Sequence, residues 1–394
     1  MGYRNVRSAS LYLHIPFCVR KCAYCDFYSV PCKRDDPRLD ALVERLLDDA
    51  GRWVHDFGIE RIPTLYIGGG TPSLLGAVRI ARLLSGLGQL WQEAPDELTV
   101  ELNPESLDKA LLMACRNNGV TRISVGVQSF YEPSRAAIYR AGSAARVLEC
   151  LDMVQRVFGT AFSADLITGL PFQDETILLK DIKTLLAYQP AHISLYALTL
   201  EPDTPLAHMA QQDKRLLPAP ERADALYIAG RDALEQAGYS QYEVSNFALH
   251  KKRGAHNIRY WRMENWLGFG PSASSTMIDD DSGTGIRYTW KRDVDAYLTG
   301  SAPLAERLDQ LILMKETLLM GFRYSDGPDL ALFQKRFGQS LEACIPRSLA
   351  VWQSLLVNSP VHCALSKDGL LLLDRFLLDI FTELDANMLD TIRT

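Results

Sequence analysis

The feature that most constrains this chain is a set of three closely spaced cysteines near its start. Residues 11–27 read LYLHIPFCVRKCAYCDF, which places Cys18, Cys22 and Cys25 in a C-x-x-x-C-x-x-C array. All three must lie on one loop, directly after a short alternating apolar run that is typical of a β-strand. Thiolates are soft ligands that suit iron–sulfur clusters or zinc. Three of them can hold three corners of a cubane cluster and leave the fourth iron open to a bound molecule.

Two other interpretations of these cysteines stay open at this point. A disulfide pair with one spare thiol would need an exported protein, and no basic-then-apolar leader opens the chain. A structural zinc site would need a fourth ligand, which Cys32 or His14 could supply. The spacing favours an iron–sulfur cluster over both.

A repeating alternation of strand and helix patterns follows the cysteine loop. Six apolar runs, each followed by a helical pattern, are LYLHI, TLYIGGG, LTVELN, RISVGVQ, FSADLITG and HISLYALTL. Strands this apolar that alternate with helices belong in a parallel sheet covered by helices. Six units are too few to close an eight-stranded barrel, so we predict an α/β fold with a partial, open β/α barrel. The chemistry of such folds lies at the carboxyl ends of the strands.

The pattern divides the chain into three parts. Residues 1–240 are predicted to form the barrel, and residues 241–300 a connecting segment dense in aromatic residues and glycine. Residues 301–394 are predicted to form a smaller, mainly helical domain. Near its end we predict a strand, a turn at Asp368-Gly369, a second strand and a closing helix.

Charge and composition exclude several classes of protein. A net charge of −6 argues against a nucleic-acid binder, which would show a basic face. A hydrophobic share of 47% is enough for a full core and argues against disorder. No long uncharged apolar stretch predicts a transmembrane segment, although peripheral membrane contact stays open. Together with the missing leader, this predicts a cytoplasmic protein with reduced thiols.

The cysteine loop, with Tyr12 before it and Tyr24 inside it, resembles the cluster loop of the radical S-adenosylmethionine (SAM) superfamily. More narrowly, nearly the whole chain is similar to the HemW-type haem chaperones, which are relatives of the oxygen-independent coproporphyrinogen III oxidases. The resemblance implies a 4Fe–4S cluster on Cys18, Cys22 and Cys25, with SAM bound at the open iron. It also implies a barrel of the radical SAM type and a small winged-helix-like C-terminal domain.

Motifs at the predicted strand ends resemble the SAM contacts of this family. Acids for the amine or the ribose hydroxyls, an arginine for the carboxylate and an amide for the ribose are complementary to SAM. The GGGTP sequence at residues 68–72 lets the backbone approach a ligand closely. In this family a histidine usually stands two residues after the arginine, but this chain has Gly142 there. The residues implied are Tyr12, Tyr24, Gly69, Gly70, Thr71, Glu101, Gln128, Arg140, Asp165 and Ala197.

Residues 256–261 read HNIRYW and resemble the H-N-x-x-Y-W motif proposed to bind haem in the HemW group. Imidazole is a standard axial ligand of haem iron, and flat aromatic rings suit a porphyrin face. The resemblance therefore implies His256, Tyr260 and Trp261 as haem contacts. The alternative is a histidine held by hydrogen bonds in an aromatic-rich core.

The chain departs from the family pattern near this motif. In the stretch GFGPSASS, Ser272 and Ser274 stand where a glycine and a histidine are usual. Trp290 stands where an asparagine is usual. The haem site is therefore expected to be altered relative to the family.

Two functions compete for this sequence. The first is a haem chaperone that holds a cluster, SAM and haem, takes electrons from a donor protein and passes haem to an acceptor apoprotein, with no catalytic side chain assigned. The second is the coproporphyrinogen oxidase, whose loop resembles C-x-x-x-C-x-x-C-x-C, whereas this chain has Phe27 at the last position. The oxidase group also lacks H-N-x-x-Y-W and carries a long N-terminal extension, while about ten residues precede the first predicted strand here. These features favour the chaperone.

Overall fold

Strands and helices alternate along most of the chain, as the sequence pattern predicts. The computed structural model describes residues 7–359 and 362–393. Within these ranges the strands are β1 (Ser10–Ile15), β2 (Phe17–Cys18), β3 (Val30–Pro31), β4 (Thr64–Gly69), β5 (Glu97–Leu102), β6 (Arg122–Gln128), β7 (Phe162–Thr168), β8 (His192–Ala197), β9 (Ser240–Gln241), β10 (Asn246–Ala248), β11 (Trp266–Phe269), β12 (Ser274–Asp279), β13 (Thr284–Thr289), β14 (Leu304–Leu308), β15 (Leu356–Ser359) and β16 (His362–Leu365). The six predicted strands are β1, β4, β5, β6, β7 and β8, so their existence is confirmed.

Helices follow these six strands and cover the sheet. Within the described ranges the α-helices are α1 (Arg38–Phe57), α2 (Gly76–Leu87), α3 (Lys109–Asn117), α4 (Glu132–Ala137), α5 (Ala144–Phe158), α6 (Glu175–Leu186), α7 (Pro205–Gln212), α8 (Pro220–Gln236), α9 (Ala255–Trp261), α10 (Val294–Leu298), α11 (Gln310–Arg323), α12 (Leu330–Phe337), α13 (Leu341–Cys344), α14 (Pro346–Val351), α15 (Lys367–Leu370) and α16 (Leu373–Arg393). None of them, over the residues described, is both long and apolar enough to span a membrane.

The described strands build one large sheet that is parallel at its centre. Its order is β14-β13-β12-β11-β1-β4-β5-β6-β7-β8-β10-β9. The pairs from β11 through β8 in this order are parallel. The pairs on either side of them are antiparallel. The strands at the two ends, β14 and β9, are not paired with each other, so the sheet is open and the predicted partial barrel is confirmed.

Each central strand has one apolar and one polar face. Side chains alternate along a strand, so Leu98 and Val100 of β5 join the main core under the helices, while Thr99 and Glu101 face the other way. The polar faces of five strands line a common cavity of about 50 Å³. The strand residues that line it are Tyr66, Glu97, Thr99, Glu101, Arg122, Ser124, Ser163, Asp165, His192, Ser194 and Tyr196.

Helix α9 closes the amino-terminal end of this polar interior. Glu97, at the start of β5, accepts hydrogen bonds from the backbone N–H groups of Ala255 (2.9 Å) and His256 (3.1 Å). A carboxylate in this position satisfies amides that have no partner inside a helix. Residues 241–300, predicted as a connecting segment, thus contain a helix that packs against the barrel. The domain boundaries after residues 240 and 300 stay predictions.

The C-terminal region is helical and has its own apolar core. Phe322 of α11, Phe333 of α12 and Phe376 of α16 are almost fully buried in it. The rings of Phe322 and Phe376 meet edge to face with centroids 4.7 Å apart. Strands β15 and β16 form a small antiparallel sheet beside these helices. A helical C-terminal unit with a small sheet is therefore confirmed.

The prediction of a second strand after the turn at Asp368-Gly369 is wrong. That turn lies inside the short helix α15, and α16 begins at Leu373. The Ser366 hydroxyl accepts a hydrogen bond from the Gly369 N–H at 3.1 Å and so starts the helical turn. A run of four leucines fits a strand or a buried helix equally well, and the tertiary packing decides between them.

Candidate functional site

A pocket of about 470 Å³ lies at the carboxyl ends of the central strands. The cysteine loop, the turn after β4 and the ends of β5, β6, β7 and β8 line it. Cys18, Cys22 and Cys25 all contribute to the lining, and so do nine of the ten predicted SAM contacts. Those nine are Tyr24, Gly69, Gly70, Thr71, Glu101, Gln128, Arg140, Asp165 and Ala197.

Backbone hydrogen bonds fix the cysteine loop at its base and at its tip. At the base, β2 pairs with β3, and the Cys32 N–H donates to the Cys18 carbonyl at 2.8 Å. At the tip, Ala23 donates its N–H to the Ile138 carbonyl, and its own carbonyl accepts from the Leu206 N–H, both at 2.9 Å. The loop is thereby held against the segments that follow α4 and begin α7.

The three cysteines of the loop line one pocket, and two of their sulfurs accept hydrogen bonds. Over residues 7–359 and 362–393, no three His, Cys, Asp or Glu side chains converge closely enough to bind a single ion. Each iron of a cubane takes its own thiolate, so three cysteines spread along one pocket wall fit such a group. Thr71 Oγ1 donates to Cys18 Sγ at 3.4 Å and Arg140 Nη1 to Cys22 Sγ at 3.6 Å. These donors favour the thiolate form that a metal requires.

Burial works in the opposite direction on two of the thiols. It raises the pKa of Cys25 to about 11 and also raises the pKa of Cys18. Metal ligands are thiolates, so binding of a cluster must release the protons of these groups. Burial therefore favours the protonated form of Cys18 and Cys25 until a metal displaces their protons.

Cys32 and His14, the two residues considered as a fourth zinc ligand, do not line the pocket. Cys32 does not line the pocket, and its thiol donates to the Lys33 carbonyl at 3.2 Å. His14 has its Nδ1 2.9 Å from the Tyr12 hydroxyl and its Nε2 3.0 Å from the Tyr28 carbonyl oxygen. Tyr12, the tenth predicted SAM contact, thus packs on His14 and does not line the pocket.

Two buried carboxylates face the pocket. The Tyr66 hydroxyl donates to Glu101 Oε1 at 2.6 Å, and the Gly69 N–H donates to Oε2 at 3.1 Å. Burial raises the pKa of Glu101 to about 7 and that of Asp165 to about 6. Gly68 must lack a side chain, because a Cβ there would lie 2.9 Å from the Glu101 carboxyl group. A ligand with an ammonium or hydroxyl groups would stabilise the charged form of both acids.

Two further residues present buried polar atoms without protein partners. Gln128 Oε1 and Arg140 Nε are buried and have no hydrogen-bond partner. Gln128 has a φ of +68° and follows an irregularity in the pairing of β6 with β7. A strained backbone and an unsatisfied buried amide are uncommon and concentrate at ligand sites. Together with the acids, these atoms match the polar groups of SAM, so the pocket fits that cofactor as well as the cluster.

Asn103 and Arg135 were not predicted, yet they hold the arginine side of the pocket together. Arg140 Nη2 donates to Asn103 Oδ1 at 2.7 Å and to the Gly126 carbonyl at 2.6 Å. Asn103 thus supports the Arg140 side chain in a sequence that has Gly142 where the family usually has a histidine. Glu101 and Asn103 are two residues apart at the end of β5, and this spacing was the available signal.

The buried Arg135 ties the two ends of this segment together. Its guanidinium donates to the carbonyls of Val127 and Ser129, both at 2.9 Å. It also reaches the carbonyls of Ala141 at 3.2 Å and Gly142 at 3.0 Å. These four bonds fix the backbone on both sides of Gln128 and after Arg140.

The H-N-x-x-Y-W helix lies at the opposite end of the strands from this pocket. His256 Nδ1 is 2.8 Å from the hydroxyl of Thr64, the first residue of β4. The residue of β4 that lines the pocket is Gly69, at the other end of this strand. Five residue steps along a strand correspond to roughly 16 Å. His256, Tyr260 and Trp261 do not line the pocket.

Both ring nitrogens of His256 have partners. The Thr64 hydroxyl donates to Ser10 Oγ at 2.8 Å, so His256 Nδ1–H is the donor to Thr64. Nε2 then accepts from the Tyr260 hydroxyl at 3.1 Å. The side chain is 2% exposed, and burial lowers its pKa to about 3. The described geometry is that of a neutral core histidine whose Nε2 lone pair is occupied.

The departures near this motif have structural roles. Ser272 has a φ of +73°, the conformation that explains the usual glycine. The Ser274 hydroxyl lies 3.1 Å from Thr289 Oγ1 on the neighbouring strand β13. Trp290 is fully buried, donates from Nε1 to the Gly268 carbonyl at 3.0 Å and so belongs to the main core.

Comparisons with known proteins agree with this geometry. The profile of the Radical SAM superfamily matches residues 12–185, and that of the HemN C-terminal domain matches residues 308–372. The heme chaperone HemW of Lactococcus lactis is 33% identical, over 94% of this chain and 97% of that protein. The mitochondrial radical S-adenosyl methionine domain-containing protein 1 of Bos taurus is 34% identical, over 95% of this chain and 88% of its own. The solved structure of coproporphyrinogen III oxidase (HemN) from Escherichia coli shares the fold, with a TM-score of 0.81 at 21% identity over 96% of this chain and 92% of that one.

Proposed function

This chain belongs to the HemW family of the radical SAM superfamily, and we propose that it is a haem chaperone that binds a 4Fe–4S cluster and SAM and passes haem to an acceptor protein. The similarity to a protein named as a heme chaperone over almost the full length of both chains carries this proposal. The pocket at the strand ends supports it, because the cysteines, acids, arginine and amide that the two cofactors need line one cavity.

In this proposal the cofactors share the pocket. Cys18, Cys22 and Cys25 would hold the cluster, which would supply an open iron for SAM, and a protein that donates electrons would be its partner. Arg140 and Gln128 offer the polar atoms that have no protein partner. Glu101 and Asp165 are placed for the ammonium or the ribose hydroxyls.

The haem contacts are proposed from the motif and are constrained by the geometry. Iron would need the Nε2 lone pair of His256, which accepts the Tyr260 hydroxyl in this structure. Haem ligation by His256 therefore requires Tyr260 to release that hydrogen bond. Trp261 packs near Arg323, whose guanidinium lies 5.3 Å from the indole ring.

The oxidase remains the alternative and rests on the fold alone. At 21% identity, the likeness to the HemN structure transfers no activity. Phe27, which stands at the position of the additional oxidase cysteine, is 69% exposed beside the pocket. Nothing in the described pocket favours the oxidase over the chaperone.

The compartment is proposed to be the cytoplasm. All eight cysteines are free thiols, as expected where thiols stay reduced.

One sample can separate the two functions. Protein reconstituted anaerobically with iron and sulfide, with SAM added, is titrated with haem and then assayed with coproporphyrinogen. The chaperone predicts a stoichiometric Soret band and no coproporphyrinogen conversion. Conversion without haem uptake would assign the chain to the oxidase.

A matched pair of variants locates the haem ligand. Tyr260→Phe keeps the ring and frees Nε2, so it should tighten haem binding if His256 is the ligand. His256→Ala should then abolish the stable Soret band while the cluster absorption is kept. Equal haem binding in wild type and both variants would place the ligand elsewhere.

A further inference from the structure

The imidazole of His256 is held rigidly at the amino-terminal end of the barrel. Its two hydrogen bonds, to Thr64 and Tyr260, fix the orientation of the imidazole ring. Its backbone N–H is bound by the Glu97 carboxylate, and its side chain is 2% exposed. A side chain with this many constraints provides a fixed surface for whatever packs on its face.

The residue that packs on this face is Tyr66. The ring centroids of Tyr66 and His256 are 5.1 Å apart and the two planes are inclined by 27°, which is a stacked arrangement. Tyr66 lies on β4 with its side chain in the polar interior, and Tyr12 flanks it at a centroid distance of 6.2 Å. The Tyr66 ring therefore packs on His256 and points towards the carboxyl ends of the strands.

The hydroxyl of Tyr66 ends on the pocket carboxylate. It donates to Glu101 Oε1 at 2.6 Å, and the other carboxylate oxygen accepts from the Gly69 N–H at 3.1 Å. The hydroxyl and this amide thus define the orientation of the carboxylate. A continuous line of contacts runs from α9 through the barrel to the SAM pocket.

We propose that His256 is a positioning residue of the SAM site, which acts on Glu101 through Tyr66. The H-N-x-x-Y-W helix then sets the affinity of the pocket for SAM from the opposite end of the barrel. This inference rests on the SAM site of the proposed function and is independent of where haem binds.

His192 provides a matched control for the loss of a buried histidine. It is 3% exposed, and its ring nitrogens are bound by Ser163 at 2.7 Å and Tyr242 at 2.8 Å. Its ring meets that of Tyr242 edge to face, so its contacts lead towards the start of α9 and not to Tyr66. Replacing it removes equivalent hydrogen bonds but takes no side chain out of the line from His256 through Tyr66 to Glu101.

The test compares Tyr66→Phe, His256→Asn, their double variant and His192→Asn in anaerobically reconstituted protein. SAM affinity is measured by equilibrium dialysis, the change of the cluster EPR spectrum on SAM addition reports its binding at the iron, and urea unfolding reports stability. Tyr66→Phe and His256→Asn should each raise the Kd for SAM roughly tenfold, which corresponds to about 1.4 kcal/mol. The double variant should bind SAM as tightly as the single variant with the larger loss of affinity, because both changes interrupt the same line of contacts.

The control decides whether the effect is specific. His192→Asn should lower stability about as much as His256→Asn and leave the Kd for SAM unchanged. The proposal would be overturned if His192→Asn raised the Kd for SAM as much as His256→Asn does. An unchanged Kd for SAM in Tyr66→Phe would also overturn it. Haem titration of the same samples keeps the two proposals apart, since a wild type that binds SAM but no haem contradicts the chaperone function only.

Discussion

Protonation of His256 should make the stability of the protein depend on pH in a way that one substitution removes. Burial lowers the pKa of His256 to about 3, whereas the usual pKa of a free histidine side chain is 6.5. A group whose pKa is depressed by folding stabilises the folded state above its unfolded pKa. That stabilisation is lost as the pH falls from 6.5 towards 3, because only the unfolded state binds the proton.

The size of the effect follows from the two pKa values. Between pH 7.5 and pH 5.5 the unfolded histidine gains most of one proton while the folded one gains almost none. One proton taken up over one pH unit is worth about 1.4 kcal/mol, so the free energy of unfolding should fall by about that amount through His256 alone. Folding also lowers the pKa of His14 and His192, so the wild type should lose more in total. These two histidines and the carboxyl of Asp165 are present in wild type and variant, so their contributions cancel in the difference.

The assay is urea unfolding of wild type and His256→Asn at both pH values. The loss of unfolding free energy between pH 7.5 and 5.5 should be about 1.4 kcal/mol smaller in the variant. His55→Asn, at a largely exposed histidine of α1, is the matched control and should behave as wild type. An identical pH dependence in wild type and His256→Asn would refute the buried, hydrogen-bonded state. It would instead indicate an imidazole open to solvent, as a free haem ligand would be.

Two further predictions concern the pocket. Cys18→Ala, Cys22→Ala and Cys25→Ala should each abolish the absorption of the 4Fe–4S cluster, whereas Cys32→Ala should retain it because that thiol lies outside the pocket; loss of the cluster in Cys32→Ala would contradict the ligand assignment. Arg140→Ala should raise the Kd for SAM roughly tenfold or more, since hydrogen bonds to a charged group are worth about 1.5–3 kcal/mol. An unchanged Kd, measured by equilibrium dialysis, would remove Arg140 from the SAM site.

The sequence predicts the residues of the pocket well, because strand alternation and cysteine spacing are local patterns. The alternation in LTVELN places leucine and valine on one face of β5 and puts Glu101 on the other. Parallel strands bring their carboxyl ends to one edge, so residues that are far apart in the chain, such as Thr71 and Asp165, meet in one cavity. The cysteine spacing defines the cluster loop without any tertiary information.

The position of α9 could not be predicted in the same way. It depends on the pairing of β11 with β1, in which Trp266 lies opposite Ser10, and on the contact of Glu97 with the first amides of the helix. Neither contact has a local pattern, because the partners are separated by more than a hundred residues. The motif therefore identified His256 as a residue of interest and left its surroundings undetermined.

The separation of His256 from the pocket bears on which function the geometry can serve. An oxidase must bring its substrate into contact with SAM, whereas a chaperone needs only to bind its cargo and release it. A haem bound at His256 would lie at the amino-terminal end of β4, with Tyr66 and Glu101 between it and the SAM pocket. The line of contacts through Tyr66 would then connect the two binding sites. Occupation of one site would then influence the other through the orientation of Tyr66 and Glu101, and the SAM affinities of the Tyr66 and His256 variants measure that coupling.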